Sequence, residues 1–202
     1  MPRDIRVDIY NMNKIRLGPQ TLAYPEPAFL IGADINTQSN FLTVAWGGIA
    51  CGNPPMVSVA IRKNRYTLRG IKQNMAFSLN VPSKDYVVET DYCGIVSGSK
   101  TNKVADCGFK IFYGDLAGAP MIEECPVNLE CKVEHILDLG SHYLVIGNIM
   151  ETHVSEDCLT DGKPDFGKIQ PIAYITGQPG HYYCLGENVG EAFRIGKKLK
   201  KK

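Results

Sequence analysis

Three short segments of the sequence combine residue types that can hold a small ligand. The first is Asn40-Phe41-Leu42-Thr43-Val44-Ala45-Trp46-Gly47-Gly48, an apolar run that ends in the only tryptophan of the chain and two glycines. Glycines bare the backbone N–H and C=O groups, so a flat heteroaromatic ring fits there; the plainer alternative makes Trp46 a core residue and Gly47-Gly48 a turn. The second, Arg62-Lys63-Asn64-Arg65-Tyr66-Thr67, sets three cations in a loop that runs into a helix start. Free N–H groups and the positive end of the helix dipole suit an anion at such a place, although a solvated basic turn has the same composition. The third, Ser97-Gly98-Ser99-Lys100-Thr101-Asn102-Lys103, offers hydroxyls and two lysines. It lacks the phosphate-loop spacing, because only Ser99 separates Gly98 from Lys100, and it follows a segment that reads as helix instead of strand. Two cationic loops bearing hydroxyls can still converge on one phosphate monoester, which favours FMN or pyridoxal phosphate as the ligand.

Other chemistries find little support. Lys+Arg 22 against Asp+Glu 21 gives a net charge of +1, which calls for neither nucleic acid nor an acidic membrane. The basic residues Lys197, Lys198, Lys200, Lys201 and Lys202 read as a flexible, solvated tail from about residue 196. The N-terminal MPRDIRVDIYNMNKIRLGP has no apolar run of signal-peptide or membrane-span length, so a cytoplasmic location is expected. Seven cysteines without a C-x-x-C pair predict reduced, mostly buried thiols, and four histidines without ligand spacing predict no metal site. No G-x-S-x-G elbow or G-x-G-x-x-G fingerprint is present, and no residue presents itself as a catalytic nucleophile.

The elements that must position these segments are mainly strands. Phe29 to Ile35, Phe41 to Trp46, Met56 to Ile61 and Phe77 to Val81 are short apolar runs rich in β-branched and aromatic residues, bounded by turn formers. Leu129, Cys131 and Val133 alternate with charged neighbours, a period of two, and Asp138 to Ser141 supplies a turn. His142 to Ile149 is nearly all apolar, which predicts burial on both faces and hence a homodimer. Ile172 to Thr176 and His181 to Leu185 complete at least eight strands. Thr67 is expected to cap a short helix over Leu68 to Gln73, and Pro82-Ser83 to open another over Asp85 to Tyr92 that Gly94 closes. One mainly β domain over residues 1–202, a closed or split Greek-key barrel with a few short helices, follows from this pattern.

Taken in order, these residues resemble the flavin reductase-like FMN-binding split barrels, and among them the flavoredoxin branch. The resemblance spans roughly residues 20–187. It rests on Asn40-x-x-Thr43-x-Ala45-Trp46, Pro54-Pro55-x-Val57-Ser58-Val59-Ala60-Ile61-Arg62 and Arg65-x-Thr67, then on Asn74-x-x-Phe77-x-Leu79-Asn80-Val81-Pro82 and Cys93-Gly94-x-x-Ser97-Gly98. Pro171-x-x-Tyr174 and Gly180-x-Tyr182-x-x-Leu185-Gly186 resemble the closing strand. The resemblance implies a homodimer with non-covalent FMN at or near the subunit interface, reduced by NAD(P)H or a redox protein. It implies that Thr43, Val44, Ala45 and Trp46 border the isoalloxazine, that Ala60, Ile61, Arg62 and Thr67 line the ribityl and phosphate path, and that Ser97, Lys100 and Lys103 reach the phosphate. The family often carries Arg or Lys directly after Ser-Gly and Asp before the second lysine, whereas Ser99 and Asn102 stand here, which leaves open which lysine meets the phosphate. The function implied is electron transfer or flavin reduction; a non-catalytic flavin carrier and an oxidase of the pyridoxamine-phosphate type are the alternatives.

Overall fold

The computed structural model describes residues 14–200. Its strands are β1 (Glu26–Pro27), β2 (Phe29–Ile35), β3 (Gln38–Val44), β4 (Gly47–Gly52), β5 (Pro55–Arg62), β6 (Ala76–Val81), β7 (Ile111–Phe112), β8 (Met121–Ile122), β9 (Val127–Asp138), β10 (His142–Val154), β11 (Leu159–Thr160), β12 (Lys163–Pro164), β13 (Ile172–Ile175) and β14 (His181–Cys184). The helices are α1 (Thr67–Asn74), α2 (Val87–Ile95), α3 (Lys103–Cys107) and α4 (Phe166–Ile169).

Seven strands form one antiparallel sheet in the order β3-β2-β6-β9-β10-β5-β4. Its two edges belong to one bent stretch of chain, because β3 runs through Ala45–Trp46 directly into β4. The Trp46 carbonyl accepts the Ala60 N–H at 2.8 Å, so the bend is itself bonded to β5 and the sheet curls into a split barrel. The strand expected to run to Trp46 ends at Val44, and the alternative that made Gly47-Gly48 a turn is corrected here: the glycines begin β4, and a Cβ on Gly47 would lie 3.0 Å from the Ser58 carbonyl oxygen.

Inward-facing Ile31, Leu42, Val57, Val59, Phe77 and Val145 fill the barrel, joined by Leu68 and Ile71 of α1. A second apolar cluster, with Leu30, Phe41, Cys93, Phe109 and Ile122, lies on the other face of β2 and β3, under α2 and α3. β2 and β3 are therefore buried on both sides, as their unbroken apolar runs require. β10 is not. Val145 and Gly147 are buried, whereas Leu144 and Ile146 on its outer face are only half-buried. The two-sided burial read from His142 to Ile149 does not occur within one chain, because the helices cover β2 and β3 instead.

The helix boundaries also shift. Tyr66 is the N-cap residue of α1, without a side-chain cap bond, and Thr67 is the first helical residue. A 3₁₀ turn over Lys84–Tyr86 precedes α2, and Gly94 lies inside that helix, which ends at Ile95. All seven cysteines are free; four are buried, Cys51 and Cys107 are half-buried, and Cys184 is exposed. A 3₁₀ turn covers Ile195–Leu199 in the basic segment, with none of its residues buried. Among the described residues no helix is long and apolar enough to cross a membrane.

Candidate functional site

The bend between β3 and β4 forms one wall of a cleft of about 340 Å³. Thr43, Val44, Ala45 and Trp46 from the bend and Ala60, Ile61 and Arg62 from β5 all line it. Two strands that leave each other at a barrel corner expose backbone along the gap, and small Ala45 and Ala60 keep that gap open to a planar group. Facing them are Arg65, Asp91 and Gly94, with His142, Tyr174 and Tyr182 contributed from β10, β13 and β14.

Each wall is fixed by bonds made elsewhere. Trp46 donates its indole N–H to Glu26 Oε1 at 2.9 Å, and Glu26 Oε2 accepts from Thr176 Oγ1 at 2.7 Å. The Trp46 ring also meets the His142 imidazole at 4.8 Å between centroids, tilted by 35°. Thr43 Oγ1 donates to the Thr90 carbonyl, and Gly94 lets α2 lie against Thr43, where a Cβ would stand 3.3 Å from Thr43 Cβ. On the far side Tyr182 donates to Asp91 Oδ1 at 3.0 Å, which ties β14 to α2; burial first, and then this bond, holds the phenol far above the ordinary tyrosine range.

The second and third segments of the sequence converge, although only the second reaches the cleft. Asn40 on β3 donates to Thr67 Oγ1 at 2.6 Å. Its amide fills the space above Gly98, where a Cβ would lie 1.7 Å from Asn40 Oδ1. Arg65 Nη1 donates to the Gly94 carbonyl at 2.9 Å, so the basic loop is bound to the end of α2 from which the Ser97 loop departs. Thr67 itself is buried at 1% exposure and does not line the cleft. Ser97, half-buried, pairs with Ser99 Oγ at 2.9 Å; Lys100 is exposed, and neither lines the cleft.

Lys103 is 3% exposed, and its ammonium donates to the Phe41 and Cys93 carbonyls at 2.8 Å each. It joins β3 to α2 from within and does not line the cleft. Burial, with the Arg65 charge adding to it, draws this amine below the usual lysine range. Among the described residues no carboxylate forms an ion pair with Arg62, Arg65 or Lys103. Arg62 and Arg65 therefore line the cleft without an ion-pair partner among the described residues, while Lys103 is satisfied by carbonyls behind it.

His142, Asp91, Tyr174, Thr176 and Tyr182 line the cleft but were not singled out as binding residues from the sequence. Tyr174 and Tyr182 belonged to segments recognised as strands. Their arrival at the site depends on β13 pairing with β1 across some 150 residues, a contact that no local spacing encodes. Arg65 had a local signal, as a cation beside a helix start.

Comparison with known proteins agrees with this architecture. The crystal structure of flavoredoxin from Methanosarcina acetivorans superposes with a TM-score of 0.88 at 38% identity, over 94% of this chain and 100% of that one. Flavoredoxin of Desulfovibrio vulgaris (Miyazaki F) gives 0.85 at 40% identity, over 91% and 100%. An uncharacterised protein of Archaeoglobus fulgidus is 33% identical over 143 residues, 70% of this chain and 79% of its own length. The model of the flavin reductase like domain matches residues 21–181, a span that holds the barrel, the bend at Ala45–Trp46 and both cationic loops. With the fold, the cleft and this match in agreement, the chain belongs to the flavin reductase-like family.

Proposed function

We propose that the protein is an FMN-binding redox protein that acts as a homodimer and passes electrons from NAD(P)H or a reduced protein donor to an acceptor. The observation that carries this reading is the pair Arg62 and Arg65, without an ion-pair partner among the described residues, in a cleft walled by Thr43–Trp46 and Ala60–Ile61. The residues fit a flavin with a single phosphate. One cationic cluster suits one phosphate monoester, whereas a pyridoxamine-phosphate oxidase would have to seat two phosphorylated ligands. The flavoredoxin names of two similar structures support the same class.

Bound there, a flavin would supply one- and two-electron transfer. The chain's own part is binding and orientation. Arg62 and Arg65 hold the phosphate through charge-assisted hydrogen bonds. The segments Thr43–Trp46 and Ala60–Ile61 would flank the ring. Trp46, pinned by Glu26, and His142 form a wall that keeps water from one edge. No side chain is required as a nucleophile.

The homodimer rests on the outer face of β4, β5 and β10. Ile49 there is 72% exposed and Leu144 and Ile146 are half-buried, an apolar strip that a second copy would cover. Light scattering at micromolar concentration is expected to give twice the chain mass; a flavin-loaded monomer contradicts it.

An absorption spectrum of the purified protein tests the cofactor, and anaerobic addition of NAD(P)H or of a reduced ferredoxin-type donor tests the redox role. Flavin bands that bleach with either donor are expected. Bands that bleach with neither donor would sink the redox reading in favour of a flavin carrier.

A further inference from the structure

His142 and Arg62 face each other across the β10–β5 pairing, on the same side of the sheet, and both line the cleft. We propose that they make anion binding proton-linked: seating a phosphate beside Arg62 draws a proton from solvent onto the His142 imidazole, so that this histidine helps to distinguish FMN from riboflavin. The inference rests on the flavin reading above and deepens it.

The geometry supplies three parts of the device. Ser141 Oγ engages Nδ1 at 2.8 Å, which holds the imidazole in place against the cleft. The Trp46 ring covers one face of the imidazole at 4.8 Å and shields it from water. Arg62 supplies a cation on the neighbouring strand and has no carboxylate of its own among the described residues.

The other charged groups around the histidine are each held by bonds of their own. Lys63, whose N–H bonds to the Ser141 carbonyl, is paired with Asp138 of the adjoining turn at 2.7 Å. Glu26 on β1, behind Trp46, is bonded to the indole and to Thr176. Across the cleft Asp91 of α2 is held by Tyr182 of β14, and Arg65 by the Gly94 carbonyl. Of these groups Arg62 is the one whose charge acts on the His142 imidazole.

The sign follows. Burial, and then the Arg62 charge, holds the imidazole below the usual histidine range, so it is neutral at pH 7 in the empty cleft. An anion that neutralises Arg62 lifts the imidazole back towards or above its ordinary value. The proton count then rises on binding, and affinity increases as pH falls through the interval between the two values. Riboflavin, which brings no phosphate, leaves Arg62 uncompensated and the imidazole neutral.

The single tryptophan gives a readout in the flavin-free protein, because a protonated imidazole stacked on an indole quenches its emission. Trp46 emission is expected to titrate with a midpoint below 6.5, to lose that titration in His142→Asn, and to shift its midpoint upwards in Arg62→Gln. Calorimetry of FMN binding in two buffers of different ionisation heat then counts protons. Wild type is expected to take up a fraction of a proton more than His142→Asn with FMN, and the same number with riboflavin. The ratio of FMN affinities, wild type over variant, should grow as pH falls, by at most about tenfold per unit. Binding of FMN with equal proton counts in the two proteins, or an emission titration that survives His142→Asn, overturns the inference while leaving the flavin reading intact. Failure of the wild type to bind FMN overturns both.

Discussion

Two regions of this barrel gather polar groups, and they treat them in opposite ways. Behind β6 and β9 the polar atoms form a closed circuit. Asn80 donates to the Leu30 carbonyl at 2.8 Å and accepts from the Ile122 N–H at 3.0 Å and from Asn128 at 2.8 Å. Nearby, Glu130 accepts from the Leu116 N–H at 2.8 Å and meets His153 Nε2 at 2.7 Å. At the cleft Arg62 and Arg65 stand without an ion-pair partner among the described residues. The contrast separates two uses of polarity. A network whose donors and acceptors are all matched inside the chain fixes the fold, whereas one that lacks its counter-charge is shaped for a ligand.

The comparison breaks most readily on the closed side. Asn80→Ala strips partners from the buried Ile122 N–H and the Asn128 amide, at a cost of about 3 kcal/mol of stability by denaturant unfolding. FMN affinity in the fraction that remains folded should not change. A parallel loss of FMN affinity in well-folded protein would show that the two regions are coupled.

Arg62→Gln addresses the open side, with the reverse pattern expected. It should weaken FMN binding by about 2 kcal/mol and leave riboflavin binding nearly untouched, because only the phosphate contact is lost. Stability should stay within about 0.5 kcal/mol, since the side chain is exposed and pairs with no carboxylate among the described residues. Equal losses for both flavins would move Arg62 away from the phosphate.

The smallest effect is expected at Trp46, which sits where the two kinds of environment meet. Its indole belongs to the closed bonding through Glu26, yet it is 37% exposed and lines the cleft. Trp46→Leu keeps apolar bulk but removes the π-system, so emission of bound flavin should rise and affinity fall by about 1 kcal/mol. Unaltered emission in a folded variant would return Trp46 to a purely structural role.

The sequence carried the strands better than their partners. Phe29 to Ile35 has the same bounds as β2, and the runs ending at Ile61 and Val81 fall within β5 and β6, because apolar runs bounded by turn formers are local signals. The continuation of β3 into β4 was hidden, since Gly47 and Gly48 have the composition of a turn. What makes them strand residues is close packing on Ser58 and Val59, a contact across the barrel. At the cleft, seven of the eleven residues expected at a cofactor line the wall. The exceptions, Thr67, Ser97, Lys100 and Lys103, were chosen as hydroxyls and cations, and type alone does not reveal direction. Lys103 turns inward to two carbonyls, a choice set by the packing of α3 under β3.

The central claim is that the uncompensated cations at the cleft await the phosphate of a flavin. Titration of the flavin-free wild-type protein with FMN and with riboflavin, side by side in one phosphate-free buffer, tests it most directly. Two charge-assisted contacts predict FMN binding at least about a hundredfold tighter than riboflavin. Equal affinities for the two, or binding of neither, would contradict the account.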